Sequence, residues 1–79
     1  MTHDLQISPD EFRDVLNGER AVFRPNQNFG IGDLLCLREF IDGRPSQYTG
    51  RTLTVEVLGV QHVGESVNMS IGDPLPDKI

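Results

Sequence analysis

The stretch SPDEFRDVLNGERAVFRPNQNFGIGD, residues 8–33, decides how the chain is read. It opens on Ser8-Pro9-Asp10-Glu11. A serine suited to N-capping is followed by a proline at the first helical position, where its missing N–H costs nothing. A glutamate at the third position completes a capping box. Ile7 before the cap and Phe12 at the fourth position have the spacing of a hydrophobic staple. Phe12, Val15 and Leu16 form one apolar stripe, and Asn17-Gly18 supplies the stop, Gly18 being free to turn left-handed. A helix of about three turns is predicted. After it, Arg20-Ala21-Val22-Phe23-Arg24 reads as a strand ended by Pro25. Asn26-Gln27-Asn28 reads as a polar loop and Phe29-Gly30-Ile31-Gly32-Asp33 as a tight turn.

Working outward, Asp4 to Ile7 alternates polar and apolar and predicts a short first strand with Leu5 and Ile7 inward. Leu34 to Phe40 is apolar on both faces near its start and reads as a central strand. Ile41 to Gly50 is rich in turn residues and reads as the connection between antiparallel strands. Arg51 to Val57 alternates cleanly, with Leu53, Val55 and Val57 inward; at Gly59 a bulge or bend is expected to bring Val60 and Val63 to the interior. Ser66 to Ile71 alternates again, with Val67, Met69 and Ile71 inward, before Gly72-Asp73-Pro74 breaks it and residues 73–79 read as a loose tail. No helix is available to cross between parallel strands. The prediction is therefore an α+β, mainly β fold: one domain over residues 1–79, a small and strongly bent antiparallel sheet or β-barrel of about five strands with one short N-terminal helix.

A chain of 79 residues has room for a single core, and 37% hydrophobic with 24% charged residues is ordinary for a globular protein. The single cysteine, Cys36, can make no internal disulfide and fits a reducing compartment. The first residues lack the pattern of a signal peptide and no apolar run nears a membrane span, so a soluble, cytoplasmic protein without a membrane partner is expected. A formal charge of −5 opposes non-specific attraction to a polyphosphate. The charge is uneven. Residues 1–19 carry −4, from Arg13 against Asp4, Asp10, Glu11, Asp14 and Glu19, whereas residues 20–51 carry +2, from five arginines against Asp33, Glu39 and Asp42.

No catalytic constellation stands out. His3 and His62 have no Cys or carboxylate at metal-ligand spacing, Ser8 is committed to capping, and Cys36 lies in an apolar strand as a small buried hydrophobe. Gly30-Ile31-Gly32-Asp33 lacks a third glycine and precedes a strand, so it is a structural turn and not a phosphate loop. Asp10, Glu11 and Asp14 suit the first turns of a helix through its dipole. The arginines are harder to assign. Arg20 and Arg24 lie on one face of a strand beside the Asn26-Gln27-Asn28 loop, and guanidinium with amide groups can bind phosphates and base edges; equally, these arginines can pair with Glu19, Glu39 or Glu56 on a solvated surface.

Ile7-Ser8-Pro9, Phe12, Val15-Leu16, Gly18, Arg24, Asn26, Phe29-Gly30-Ile31-Gly32-Asp33, Leu37-Arg38-Glu39-Phe40 and Tyr48-Thr49-Gly50-Arg51 together resemble the short bacterial and phage branch of the ASCH superfamily. The resemblance covers nearly the whole chain and implies a PUA-like β-barrel that binds RNA or a modified nucleoside in a cleft beside the helix–strand–loop element. Gly18, Arg24, Asn26, Gly32 and Asp33 match the family pattern, Glu19-Arg20 matches its basic pair by half, and Val22 stands where the family has a glutamate. Some members resemble amidohydrolases for acetylated cytidine that work through lysine, threonine and glutamate; with no lysine before Lys78, that activity is not carried across.

The resulting expectation is a monomeric RNA- or nucleotide-binding module, acting through Arg20, Arg24, Asn26, Gln27, Arg38 and Arg51 without catalytic residues, metal or cofactor. The alternative is an acidic protein-interaction module, such as a phage-encoded inhibitor that occupies a basic surface of a host nucleic-acid-binding protein, for which the −5 balance is the motive.

Overall fold

The computed structural model of the chain describes residues 1–76 and orders them as β1 (Thr2–Ile7), α1 (Pro9–Leu16), β2 (Ala21–Pro25), β3 (Leu34–Ile41), β4 (Gln47–Val63) and β5 (Ser66–Ile71). The helix begins as its sequence dictates: the Glu11 N–H donates to Ser8 Oγ at 3.1 Å, and Ile7 and Phe12 are both buried. The reciprocal half of the capping box is not made. Glu11 turns its carboxylate to Arg24 instead, because a two-pronged charged pair outcompetes a neutral amide. At the other end the N–H groups of Gly18 and Glu19 donate to the Val15 and Asp14 carbonyls at 3.2 and 2.9 Å, a Schellman closure that needs the φ of +115° at Gly18. With 8 residues the helix is shorter than expected, and Leu16 at its end is 51% exposed and does not join Phe12 and Val15 in the core.

The five strands form one sheet in the order β1-β3-β4-β5-β2. The 17 residues of β4 span both halves, pairing with β3 up to Glu56 and with β5 from Val57 onward. Where it changes partner, the register slips between Val57 and Gly59. One inserted residue reverses which parity faces the core. Val57 is therefore inward and Val60 packs against the core, but Val63 is 50% exposed and not interior as its spacing suggested. The inner faces supply the core, from Leu5 and Ile7 through Leu35, Leu37 and Val55 to Val67, Met69 and Ile71, with Phe12 and Val15 laid over them. Each such side chain contributes about 1.5–3 kcal/mol by leaving water.

Four features depart from the sequence-based expectation. β1 runs parallel to β3, with Leu5 beside Leu37, so the sheet is not wholly antiparallel. The segment from Ser8 to Asp33 carries a helix, a strand and a loop, long enough to return the chain to the same end of the sheet. The connection expected over 41–50 shrinks to 42–46, because Tyr48 pairs opposite Phe40 and extends β4 back to Gln47. The sheet curls without closing: β1 and β2 are its two ends and share no ladder, whereas the resemblance implies a closed barrel. Residues 73–76 are also held. Leu75 N–H donates to Thr54 O at 2.8 Å and Asp73 accepts from Arg20 at 3.0 Å, while residues 77–79 of the expected loose tail lie outside the described residues. Among the described residues no helix is long and apolar enough to cross a membrane.

The turn before β3 is tied to β1. Gly32 has φ +93°, and Asp33 Oδ2 accepts from the Gly30 N–H at 3.0 Å and lies 2.9 Å from His3 Nε2; the His3 ring meets Phe29 edge-on with centroids 4.7 Å apart. The hydrogen bond to His3, then that from Gly30, hold the Asp33 carboxyl at about 2, below its usual 3.8. A depressed pKa means that the folded state favours the ionised form. This stabilisation is complete above the unfolded-state value of 3.8 and is lost as pH falls towards about 2. Thermal melts of the wild-type chain and Asp33→Asn between about pH 6 and pH 2 test this: the wild type is the more stable at the upper end and the gap closes across that window. A gap that stays constant down to the lowest pH contradicts it.

Candidate functional site

The two arginines of the helix–strand element are built into the fold. Arg24, whose side chain is 18% exposed, donates from Nη2 to the Gln6 carbonyl of β1 at 3.0 Å and from Nη1 to the Phe23 carbonyl at 2.7 Å. It also meets both Glu11 oxygens, at 3.2 and 3.3 Å. One guanidinium thus joins β2, β1 and α1 across the open side of the sheet. Arg20 donates to the Val15 carbonyl at the end of α1 (2.9 Å), to its neighbour's carbonyl and to Asp73. Both flank the buried Val22 on one face of the strand, as alternation requires, but neither has a free fork for a ligand. Asn26 is committed as well: its Oδ1 accepts from the Asn28 N–H at 3.0 Å, and Asn28 has φ +59°. Gln27 is exposed beside it.

Arg38 is differently placed. Even-numbered residues of β3 face away from the core, and there the Arg38 guanidinium lies 4.3 Å from the centroid of the Tyr48 ring, with no carboxylate at ion-pair distance among the described residues. Tyr48 meets Phe40 edge-to-face at 5.1 Å and accepts a hydrogen bond from Gln6 Nε2 at 3.1 Å. Arg38 is opposite Thr52 on β4 and Gln6 on β1. Cation, two aromatic rings, amide and hydroxyl therefore share one patch on the outer face, with Tyr48 43% exposed. Arg44, in the loop that follows β3, is exposed and also without a carboxylate partner among the described residues.

Arg51 points to the opposite face. Glu39 is the one buried charged residue among those described, at 6% exposure, and shares the inward parity of Leu35 and Leu37. Thr49 Oγ1 donates to Glu39 Oε1 at 2.7 Å and Arg51 Nε lies 3.7 Å from the same oxygen, while the Arg51 guanidinium covers the Phe12 ring at 4.4 Å. A carboxylate at the end of the core is tolerable only with such partners. Sequence reasoning placed Glu39 on a solvated surface as a partner for arginine and gave Thr49 no role. The signal was present: a glutamate two residues past Leu37 on the core face must be satisfied, and Tyr48-Thr49-Gly50-Arg51 is the segment that satisfies it. The six expected binding residues thus fall into three places: Arg20, Arg24, Asn26 and Gln27 around β2, Arg38 on the outer face, and Arg51 over the helix.

Between α1 and the free edge of β2 opens a cleft of about 270 Å³. Ile7, Val15, Val22 and Leu37 lie at its base, and the carboxylates of Glu11, Asp14 and Glu19 stand at its mouth. Cys36 is half-buried on the outer face instead of fully buried, and burial followed by the charge of Asp4 pushes its thiol pKa up, away from thiolate chemistry. Among the described residues no group of three or more His, Cys, Asp or Glu side chains could hold a metal ion.

A family model described as Domain of unknown function (DUF3850) matches residues 2–71, and the chain belongs to that family. No curated protein matches it.

Arg24→Ala is expected to lower unfolding stability by about 1–3 kcal/mol, since it frees two carbonyls and the Glu11 carboxylate at once. Arg24→Lys recovers little, because an ammonium cannot span the same acceptors. Chemical denaturation of the three proteins decides it; an Arg24→Ala midpoint equal to wild type refutes the clasp. Thr49→Val, which strips the hydroxyl from buried Glu39, is expected to cost about 1–3 kcal/mol in the same assay.

Proposed function

We propose that this member of the DUF3850 family is a small module that binds single-stranded RNA or a nucleotide through the outer face of β1, β3 and β4, centred on Arg38 and Tyr48. The observation that carries the proposal is the Arg38 guanidinium lying over Tyr48 with no carboxylate at ion-pair distance among the described residues. Single-stranded bases are bound by stacking on aromatic rings and guanidinium planes, with amides and hydroxyls at hand for their edges. Phe40, Tyr48 and Arg38 supply the stacking surface. Gln6 keeps its carbonyl oxygen and Tyr48 its own hydroxyl proton for a ligand, because their mutual bond uses only the Gln6 amide and one phenolic lone pair.

The resemblance of Leu37-Arg38-Glu39-Phe40 and Tyr48-Thr49-Gly50-Arg51 to the ASCH superfamily supports the ligand class. It locates the surface differently, since the arginines of β2 are engaged within the fold. With a net charge of −5, affinity comes from stacked and hydrogen-bonded contacts more than from the field of the whole molecule. In this arrangement Glu39 holds Thr49 and Arg51, which fix the strand on which Tyr48 sits.

Fluorescence anisotropy of a labelled single-stranded decanucleotide RNA at low salt tests the proposal. Arg38→Ala and Tyr48→Ala are each expected to weaken binding about tenfold, the scale of one lost stacking contact. Phosphate contacts from Arg38 and Arg44 give a salt slope of roughly 1.4, at about 0.7 per contact for a single strand. Absence of binding, or affinity unchanged in both variants, overturns the reading.

A further inference from the structure

We propose that the cleft between α1 and β2 is a second site, which takes an extended basic peptide segment: one peptide residue adds to the free edge of β2 and its long cationic side chain enters the acidic mouth. This inference is independent of the nucleic-acid face, which lies on the other side of the curled sheet.

The edge is unusually specific. Among the described residues β2 pairs with β5 alone. The Ile71 N–H donates to Arg20 O and the Asn26 N–H to Glu65 O, so even-numbered residues of this segment bond to β5 and the N–H and C=O groups of Ala21 and Phe23 point to the open side. Two of those four groups are covered from within. Glu19 Oε1 accepts from the Ala21 N–H at 3.1 Å, and Arg24 donates to Phe23 O at 2.7 Å. Ala21 O and the Phe23 N–H remain without a partner among the described residues. An acceptor on residue i−1 and a donor on residue i+1 are what one residue of a parallel strand requires, through its N–H and its C=O respectively. A free edge of this kind normally invites unlimited pairing. Here Glu19 and Arg24 close it at both ends, so that it takes one residue and no more.

The side chain of that added residue is set by register. It lies beside Val22 and therefore on the inward face, over Ile7, Val15, Val22 and Leu37. An aliphatic stem suits that base. The rim carries three carboxylates beside Ala21, Phe23 and Asn68: Glu11 is taken up by Arg24, Glu19 uses one oxygen on backbone amides, and the exposed Asp14 carboxylate has no side-chain partner among the described residues. A lysine or arginine, apolar along its stem and cationic at its head, complements both parts. Residues 1–19, which carry a net charge of −4, contribute Glu11, Asp14 and Glu19 to this mouth and attract such a segment from a distance. Leu16 and Phe23, both more than half exposed beside the cleft, offer apolar contact to the flanking peptide residues.

The probe is a Gly-Val-Arg-Val-Gly amide whose N-terminus carries an uncharged boron-dipyrromethene fluorophore, titrated into the isotopically labelled full chain, with binding read by anisotropy and by amide chemical shifts. The expected result is a shift of the Phe23 amide on binding. Asp14→Asn, a change at an exposed side chain that makes no hydrogen bond among the described residues, weakens binding about two- to fivefold, the worth of one exposed ion pair. Methylating the arginine backbone nitrogen of the peptide weakens it about tenfold by removing the donor to Ala21 O. Replacing the arginine by norleucine abolishes the salt dependence. Equal binding by the N-methylated peptide, an Asp14→Asn variant that binds as wild type, shifts confined to the Arg38–Tyr48 face, or no shift at Phe23 at millimolar peptide each overturn the proposal.

Discussion

A curled sheet that stops short of closing must still keep water from its inner face, and one guanidinium answers that constraint. Arg24 reaches from β2 to the end of β1 at Gln6 and to the first turn of α1, the three elements that border the opening. Everything around it is arranged accordingly. Glu11 leaves its place in the capping box to serve as the counter-ion, and α1 lies across the gap with Phe12 and Val15 inward. Arg20, four residues earlier, fastens the other end of the strand to the end of α1 and to the segment after β5. Charge-assisted bonds to backbone carbonyls are directional, so they hold an edge where an apolar contact alone would let it slide.

The second organising constraint is the length of β4. A strand shared by two half-sheets has to turn the inner surface through a large angle, and the slip between Val57 and Gly59 does so while exchanging the inward parity. The bend separates two outward surfaces of different chemistry. On one, arginine, aromatic rings and an amide cluster, with no carboxylate at ion-pair distance from Arg38 among the described residues; on the other, three carboxylates stand around an apolar cleft next to a strand edge. The net charge conceals this division. An acidic protein of 79 residues therefore keeps an arginine–aromatic patch apart from its acidic cleft.

The candidate site was only partly legible in the sequence, for a reason that concerns what arginine does. Arg20, Arg24, Arg38 and Arg51 are alike in composition and local spacing, yet two fasten an edge, one covers an aromatic ring beside a buried carboxylate, and one lies free on an aromatic platform. The partners that decide this are 5 to 53 residues away in the chain. Glu39 was legible in principle, since it follows Leu35 and Leu37 on the same face. The pairing of β1 with β3 was not, because a parallel neighbour leaves no turn signal at either end.

What the sequence by itself determined is local or periodic: the serine cap and staple of α1, its closure at Gly18, the turn at Gly32, and the inward residues of β1, of β4 from Leu53 up to the slip, and of β5. These depend on backbone sterics and on alternation, which act over a few residues. Tertiary structure decided the parallel order of β1 and β3, the outward turn of Val63, the open side of the sheet and the fate of each arginine. Those outcomes depend on which carbonyl, carboxylate or ring stands opposite once the strands are assembled, and on a hydrogen-bonding group's need for a partner when buried. Such a need can be read from one residue, but its answer lies on another strand.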